Sequence, residues 1–320
     1  MLKIDYNQYK DLTGRDIHKN VLVDIGKQSS NVVILGADAI GSGGGDLFKQ
    51  NFPERTFDFG IAEPNMTGAA AGFAMMGKIP VILIYGFIVS RIAEQVRNDV
   101  CYNDKNVKIL CQTSTFDLAP GGVTHHAVED VSILKNFPNI TIIQPSTPLE
   151  TIAATYCGIL ENQGPVYFRF SRNMKDELYQ ENTFNFEIGK SITVKEGNDI
   201  TLIGTGAPLH IAIKAAETLE AEGISVRVID IHTIKPIDEE VIIRAAEETK
   251  GIVTVEDMNV AGGLGGSVCQ IVANTKPTRV ENVGISYEEF TVIGPDVKTL
   301  YNHFGITEEN IVNKAKSILS

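Results

Sequence analysis

Glu63 opens the segment EPNMTGAAAGFAMMG, whose body is almost entirely Ala, Gly and Met. Small residues let such a helix approach another backbone or a flat ligand closely, and its apolar face desolvates whatever stands at its start. A carboxyl held there suits hydrogen bonding to a ring nitrogen and shuttling of its proton. An acid that merely complements the helix dipole is the alternative. His125 and His126, in PGGVTHHAVED, sit on a glycine turn leading into a helix, a position suited to acid–base or substrate contact at the C-terminal edge of a sheet. For His126 a capping role stands beside that one, and no further His or Cys follows at zinc-ligand spacing. Arg172, in YFRFSRN, ends a strand at the same kind of edge, with Arg169 alternating with it as a structural candidate.

Two glycine runs complete the inventory. Gly41–Gly45 (GSGGG) follows a strand, and successive glycine N–H groups can form an anion-binding nest. The spacing matches neither a P-loop nor a dinucleotide fingerprint, and a flexible loop is the competing reading. Ala261–Gly266 (AGGLGG) heads a helix and reads as tight packing rather than a phosphate site.

These residues need elements to hold them. Short β-branched runs alternate with amphipathic or small-residue helices, the pattern of α/β architecture with largely parallel sheets. Strands are predicted at 32–35, 81–84, 107–111, 141–143 and 166–168, with helices at 63–76, 90–100, 127–135 and 148–160 between them. The rhythm lapses over 173–187 (NMKDELYQENTFNFE). Beyond it come strands at 200–203, 226–229, 252–255 and 279–283, with helices at 209–222, 239–248, 264–273 and 308–319. The expectation is two doubly wound α/β domains with mainly parallel sheets, residues 1–175 and 191–320, joined by a linker at 176–190.

The 320 residues carry 28 Lys plus Arg against 40 Asp plus Glu, a net charge of −12. Nucleic acid is excluded as a partner, because phosphate recruitment needs a basic footprint, and anionic membranes are disfavoured for the same reason. The most apolar stretch, 79–90, lies between Lys78 and Arg91 and is too short to span a bilayer as a helix. The N-terminal MLKIDYNQYKD lacks the apolar centre of a signal peptide, so a cytoplasmic location is expected. Four cysteines, 101, 111, 157 and 269, show no CxxC spacing and are expected to be reduced and buried. No metal ligand set is expected in this chain.

Taken together, DFGIAEPNMTGAAAGFAMMGKIPV, GGVTHHAVEDVSILKNFPNITIIQPSTPLET, GPVYFRFSR, IHTIKPID and VEDMNVAGGLGGSV resemble, in order, the C-terminal half of transketolase, over nearly the whole chain. The resemblance implies a pyrimidine-binding domain for thiamine diphosphate, followed by the family's C-terminal domain. The Gly-Asp-Gly signature that holds magnesium and the diphosphate is missing. The chain therefore resembles the smaller half of a split transketolase. That likeness implies a complementary Gly-Asp-Gly subunit carrying the Mg²⁺, a cofactor shared at the interface, and an α2β2 heterotetramer.

Carried over by position, Glu63 matches the glutamate that bonds the aminopyrimidine ring, Phe87 an aromatic packed on that ring, and Asp38 an aspartate near the thiazolium. His125 matches the histidine at the donor's hydroxyl end. Arg15, Ser42 and Arg172 match groups that hold the phosphate of a sugar substrate. Two departures fall in the substrate half. Pro120 and Gly121 replace a Glu-Asp pair whose aspartate reads a donor hydroxyl, and Thr113 replaces a histidine of the phosphate site. The expected activity is transfer of a two-carbon ketol unit from a ketose to an aldose phosphate, with an atypical phosphorylated or sulfonated sugar as substrate. The alternatives are the β subunit of a 2-oxo acid dehydrogenase, which has no need of the two arginines and Ser42, and a non-catalytic paralogue.

Overall fold

A computed structural model describes residues 4–10, 12, 14–286 and 292–320; Met1–Lys3 and Asp11 of the N-terminal stretch lie outside the described residues. The first sheet begins with six parallel strands, β1 (Val32–Gly36), β2 (Thr56–Asp58), β3 (Ile79–Ile84), β4 (Lys108–Cys111), β5 (Thr141–Ile143) and β6 (Val166–Arg169). The second contains β7 (Ile192–Lys195), β8 (Ile200–Gly204), β9 (Val226–Asp230), β11 (Ile252–Asn259) and β12 (Val280–Ile285), parallel except for β7. Strand β10 (Thr233–Lys235), which follows β9 in the chain, crosses over and pairs antiparallel with β5, so the first sheet runs β10-β5-β6-β4-β3-β1-β2. The second runs β12-β11-β8-β9-β7. The central strands of the first sheet are buried on both faces because helices cover both, which is why they read as continuous apolar runs; the edge strand β2 is not.

The first domain's helices are α1 (Arg15–Gln28), α2 (Asp46–Asn51), α3 (Glu63–Met75), α4 (Val89–Gln95), α5 (Asp130–Leu134) and α6 (Pro148–Tyr156). The second domain's are α7 (Leu209–Ala221), α8 (Glu239–Glu248), α9 (Leu264–Asn274), α10 (Val297–His303) and α11 (Glu308–Leu319). Helix α1 escaped the sequence reading although Ile17, Val21, Leu22 and Ile25 are all buried at helical spacing. The helix expected over 127–135 is shorter because Ala127 pairs with Thr115 in an isolated bridge and its carbonyl accepts from Arg169. Beyond α4 and α6 the chain continues in wider π-type turns, Val96–Cys101 and Cys157–Glu161.

Arg169, at the end of β6, fastens the two domains. It is fully buried and ion-pairs with Asp130 at 2.8 Å and with Asp257 of β11 at 2.7 Å. Removing one partner would strand a buried charge, a loss of about 3–5 kcal/mol. The segment 176–190 contains neither helix nor strand, and Tyr179 ties it down by donating to Asp230 at 2.7 Å. Cys101 and Cys111 are buried as expected, whereas Cys157 and Cys269 are only half-buried; all four are free. Among the described residues, no helix is long and apolar enough to cross a membrane.

Candidate active site

The order of the first sheet reverses between β1 and β3, since the chain goes from β1 outward to β2 and then returns to the other side. In open α/β sheets the crevice beyond the strand C-termini at such a switch is where ligands bind. The loops after β1, β3, β4 and β6 meet there.

Arg15 begins α1 and Arg172 follows β6, more than 150 residues apart in the chain, yet both guanidinium groups reach the loop after β1. Arg15 donates to the Gly41 carbonyl and Arg172 to the Ser42 carbonyl at 3.1 Å. Each arginine retains a buried Nε–H with no hydrogen-bond partner among the described residues. Gly14 makes the convergence possible. At φ +46° its N–H donates to the Met174 carbonyl at 2.7 Å, and a Cβ there would lie 1.8 Å from the Arg172 carbonyl oxygen. Only glycine lets α1 start against that turn.

Tyr85, which the sequence reading missed, connects this pair of arginines to the rest. Its hydroxyl donates to Ser42 Oγ at 2.6 Å, and the Arg172 guanidinium stands 5.5 Å from its ring centre. Its ring lies parallel to that of Phe87 at 5.6 Å, and Phe87 in turn meets His125 at 4.8 Å. Arg15, Ser42, Arg172, Tyr85, Phe87 and His125 thus form one chain of contacts. The signal for Tyr85 was its position two residues before Phe87 at a strand end.

Glu63 and Asp38 stand outside that chain. Glu63 is the first residue of α3 and is buried, with Oε2 lacking a hydrogen bond; Arg91 Nη1 approaches that oxygen at 3.3 Å in an ion pair. Asp38 is exposed in the left-handed region (φ +56°), where Asp58 Oδ1 accepts its N–H at 2.9 Å.

The structure decides between the readings left open for the GSGGG loop and for His126. The GSGGG loop is not an open nest, because the N–H groups of Gly43, Gly44 and Gly45 donate to Ala39, Gly41 and Ile40 carbonyls at 2.6, 3.2 and 2.8 Å. Positive charge at this loop comes from the arginines instead. His126 is buried, edge-on to Phe116 at 5.0 Å and 3.3 Å from the Ala119 carbonyl, with its basicity lowered by burial; it supports the turn. Gly121 leaves no room for an acid: a Cβ there would lie 2.8 Å from Cγ of His125. Thr113 is buried too, its hydroxyl accepting the Gly86 N–H at 3.3 Å.

Comparisons with known proteins identify relatives of the whole chain. Residues 10–176 match the family model "Transketolase, pyrimidine binding domain" and residues 189–311 match "Transketolase, C-terminal domain". A 6-deoxy-6-sulfo-D-fructose transketolase subunit of a Clostridium species is 35% identical, over 95% of this chain and 94% of the relative. An apulose-4-phosphate transketolase subunit of Phocaeicola vulgatus is 33% identical, over 92% of this chain and 94% of the relative. A solved structure described as a split gene transketolase, inactive beta4 tetramer, superposes with a TM-score of 0.87 at 34% identity, covering 96% of this chain and 98% of that one.

Proposed function

The chain belongs to the transketolase family, and from that premise we propose that it is the pyrimidine-domain subunit of a two-chain, thiamine diphosphate-dependent transketolase of the cytosol. It moves a two-carbon ketol unit from a ketose to an aldose whose far end carries a phosphate or sulfonate. The observation that carries this reading is the convergence of Arg15 and Arg172 on the loop after β1, beside the Tyr85–Phe87–His125 row. Fixed, always-charged forks suit the oxygens of a phosphate or sulfonate, to which they can donate in pairs. The substrates named for the two relatives, a sulfonated and a phosphorylated sugar, have that chemistry.

The residues fit the pyrimidine end of the cofactor. Glu63 offers a buried carboxylate oxygen without a hydrogen bond, suited to a ring nitrogen, and Phe87 offers a ring face. When bound, thiamine diphosphate supplies the nucleophilic carbon that takes up the two-carbon unit. In this reading Glu63 holds the ring nitrogen and carries its proton, and Asp38 lies toward the reacting carbon. His125 contacts the donor's hydroxyl end, while Arg15, Ser42 and Arg172 clasp the anionic end.

A Mg²⁺ ion and the diphosphate belong to a complementary Gly-Asp-Gly chain in an α2β2 assembly. A surface suited to protein contact surrounds the Glu63 helix: Ile61, Met75, Met76 and Tyr102 are 69–83% exposed, and Gly72 faces open space. Calorimetry with thiamine diphosphate and Mg²⁺ tests this. We expect no tight binding by the purified chain, and both binding and ketol transfer once the complementary chain is added. Tight Mg²⁺-dependent binding by this chain alone would overturn the proposal.

A further inference from the structure

Asp117 lies in the loop after β4, where that loop borders a cleft of about 760 Å³ between the two domains. Its carboxylate gathers two loops. Oδ2 accepts the N–H groups of Arg172 at 2.8 Å and Ser114 at 3.0 Å, and Oδ1 accepts from Ser171 Oγ at 3.0 Å and Asn173 Nδ2 at 3.1 Å. Three consecutive residues after β6 are therefore held by one acid, and the middle one is Arg172. Because Gly14 rests on the Arg172 carbonyl, the turn that Asp117 holds also seats the start of α1 and hence Arg15. Among the described residues no cation ion-pairs with it; the partners are neutral donors.

We propose that Asp117 is a positioning residue of the anion site, setting the backbone of Arg172 so that its guanidinium and that of Arg15 face one ligand. This rests on the anion-binding reading given above. Burial pushes the Asp117 carboxyl up to about 6, against the pull of its hydrogen bonds. The ionisable groups around it are Asp257 on β11, Asp296 at the start of α10 with Lys298 and Tyr301 on it, His210 and Lys214 on α7, Glu308 on α11, and Lys175 and Asp176 on its own side. As pH falls through about 6 the carboxylate gains a proton and loses acceptor capacity toward the Arg172 N–H. Anion affinity should fall with it.

Inorganic sulfate is the probe, since it keeps its charge over pH 5–8 whereas a phosphate monoester does not. Its dissociation constant is measured calorimetrically on the full chain with its complementary subunit. Wild type should bind several-fold more weakly at pH 5 than at pH 7. Asp117→Asn should be weaker at pH 7 by about 3–10-fold, the size of one lost hydrogen bond, and should show no inflection near pH 6. Asp117→Glu should restore the inflection, and His210→Asn should leave it in place. Arg172→Ala and Arg15→Ala separate the two ideas. If neither weakens sulfate binding, the anion-site reading fails; if both do while Asp117→Asn keeps wild-type affinity and pH slope, the positioning proposal fails. Should Asp117→Asn not fold, the wild-type titration decides, and a slope absent near pH 6 overturns the proposal.

Discussion

Helices α3 and α9 are built alike and used differently. Both are rich in small residues, both lie against parallel strands, and both have a buried glutamate at their start. At α9 the glutamate is Glu256, reaching from β11, and its two oxygens accept the N–H groups of Leu264 and Gly265 at 2.7 Å each. A Cβ on Gly263 would lie 1.9 Å from that carboxylate and one on Gly265 3.0 Å from it, so these two glycines of AGGLGG leave room for it. The chain's own acid fills the place a phosphate would take. At α3 the glutamate is the first residue of the helix, and one of its oxygens is left without a hydrogen bond. A glycine-rich helix start becomes a ligand site only when the protein does not satisfy it from within.

The sharpest way to break this contrast is to change Glu63 to Gln, which keeps its size but removes the proton it can carry. With the complementary chain present, kcat should fall on the order of 10²-fold or more, the scale of a positioned acid–base group. The melting temperature should hardly move, because an acid at a helix start contributes only about 0.3–1 kcal/mol and its partner Arg91 is half exposed. Exchange of the cofactor's thiazolium proton reports the step directly; an unchanged rate would assign Glu63 to the helix dipole alone.

The same contrast marks what was legible in the sequence. Nine strands were placed to within a few residues, because β-branched runs buried on both faces leave an unbroken apolar signature. Strands β2, β7 and β10 were not: β2 and β7 are short, partly exposed edge strands, and the three residues of β10 are a strand only by virtue of pairing with β5 across the domain boundary. Arg15, Ser42 and Arg172 were named through family likeness, but their meeting point was misattributed to glycine amides that the turn itself engages. Which donors a loop leaves free depends on its fold, and spacing does not encode that. Tyr85, Arg91 and Asp117 went unread because each acts through a contact with a residue distant in sequence.

Changing Glu256 to Gln should give the opposite result to Glu63→Gln. One oxygen becomes an amide NH₂ facing a helix N–H, which should lower stability by about 1–3 kcal/mol and leave kcat of the assembled enzyme within about two-fold, a ΔG‡ change well under the 1.36 kcal/mol of a tenfold effect. Burial pushes the Glu256 carboxyl from 4.5 up to about 8, so the folded chain favours its protonated form. That contribution is complete below the unfolded value and is lost as pH rises through about 8. Urea unfolding should therefore show a wider gap between wild type and variant at pH 5.5 than at pH 8.5. A gap that widened toward alkaline pH would show that the amide bonds to the charged carboxylate outweigh its desolvation.

The smallest effect probes how far the first domain's site is itself preassembled. Tyr85→Phe removes one hydroxyl, the donor to Ser42 Oγ, and leaves the ring beside Arg172 and parallel to Phe87. Ser42 is exposed, so water can replace the lost partner and the penalty should be at the low end of one hydrogen bond, about 0.5 kcal/mol. KM for an anionic acceptor should rise about two-fold, while a short uncharged acceptor such as glycolaldehyde, which does not extend to the arginines, should be used as before. Replacing the ring as well, with Tyr85→Ala, removes the surface shared by Arg172 and Phe87, and both acceptors should then suffer. A large, anion-selective loss in Tyr85→Phe would mean that the hydroxyl binds the substrate itself. The row from Ser42 to Phe87 would then be part of the binding surface, where Glu256 has no counterpart.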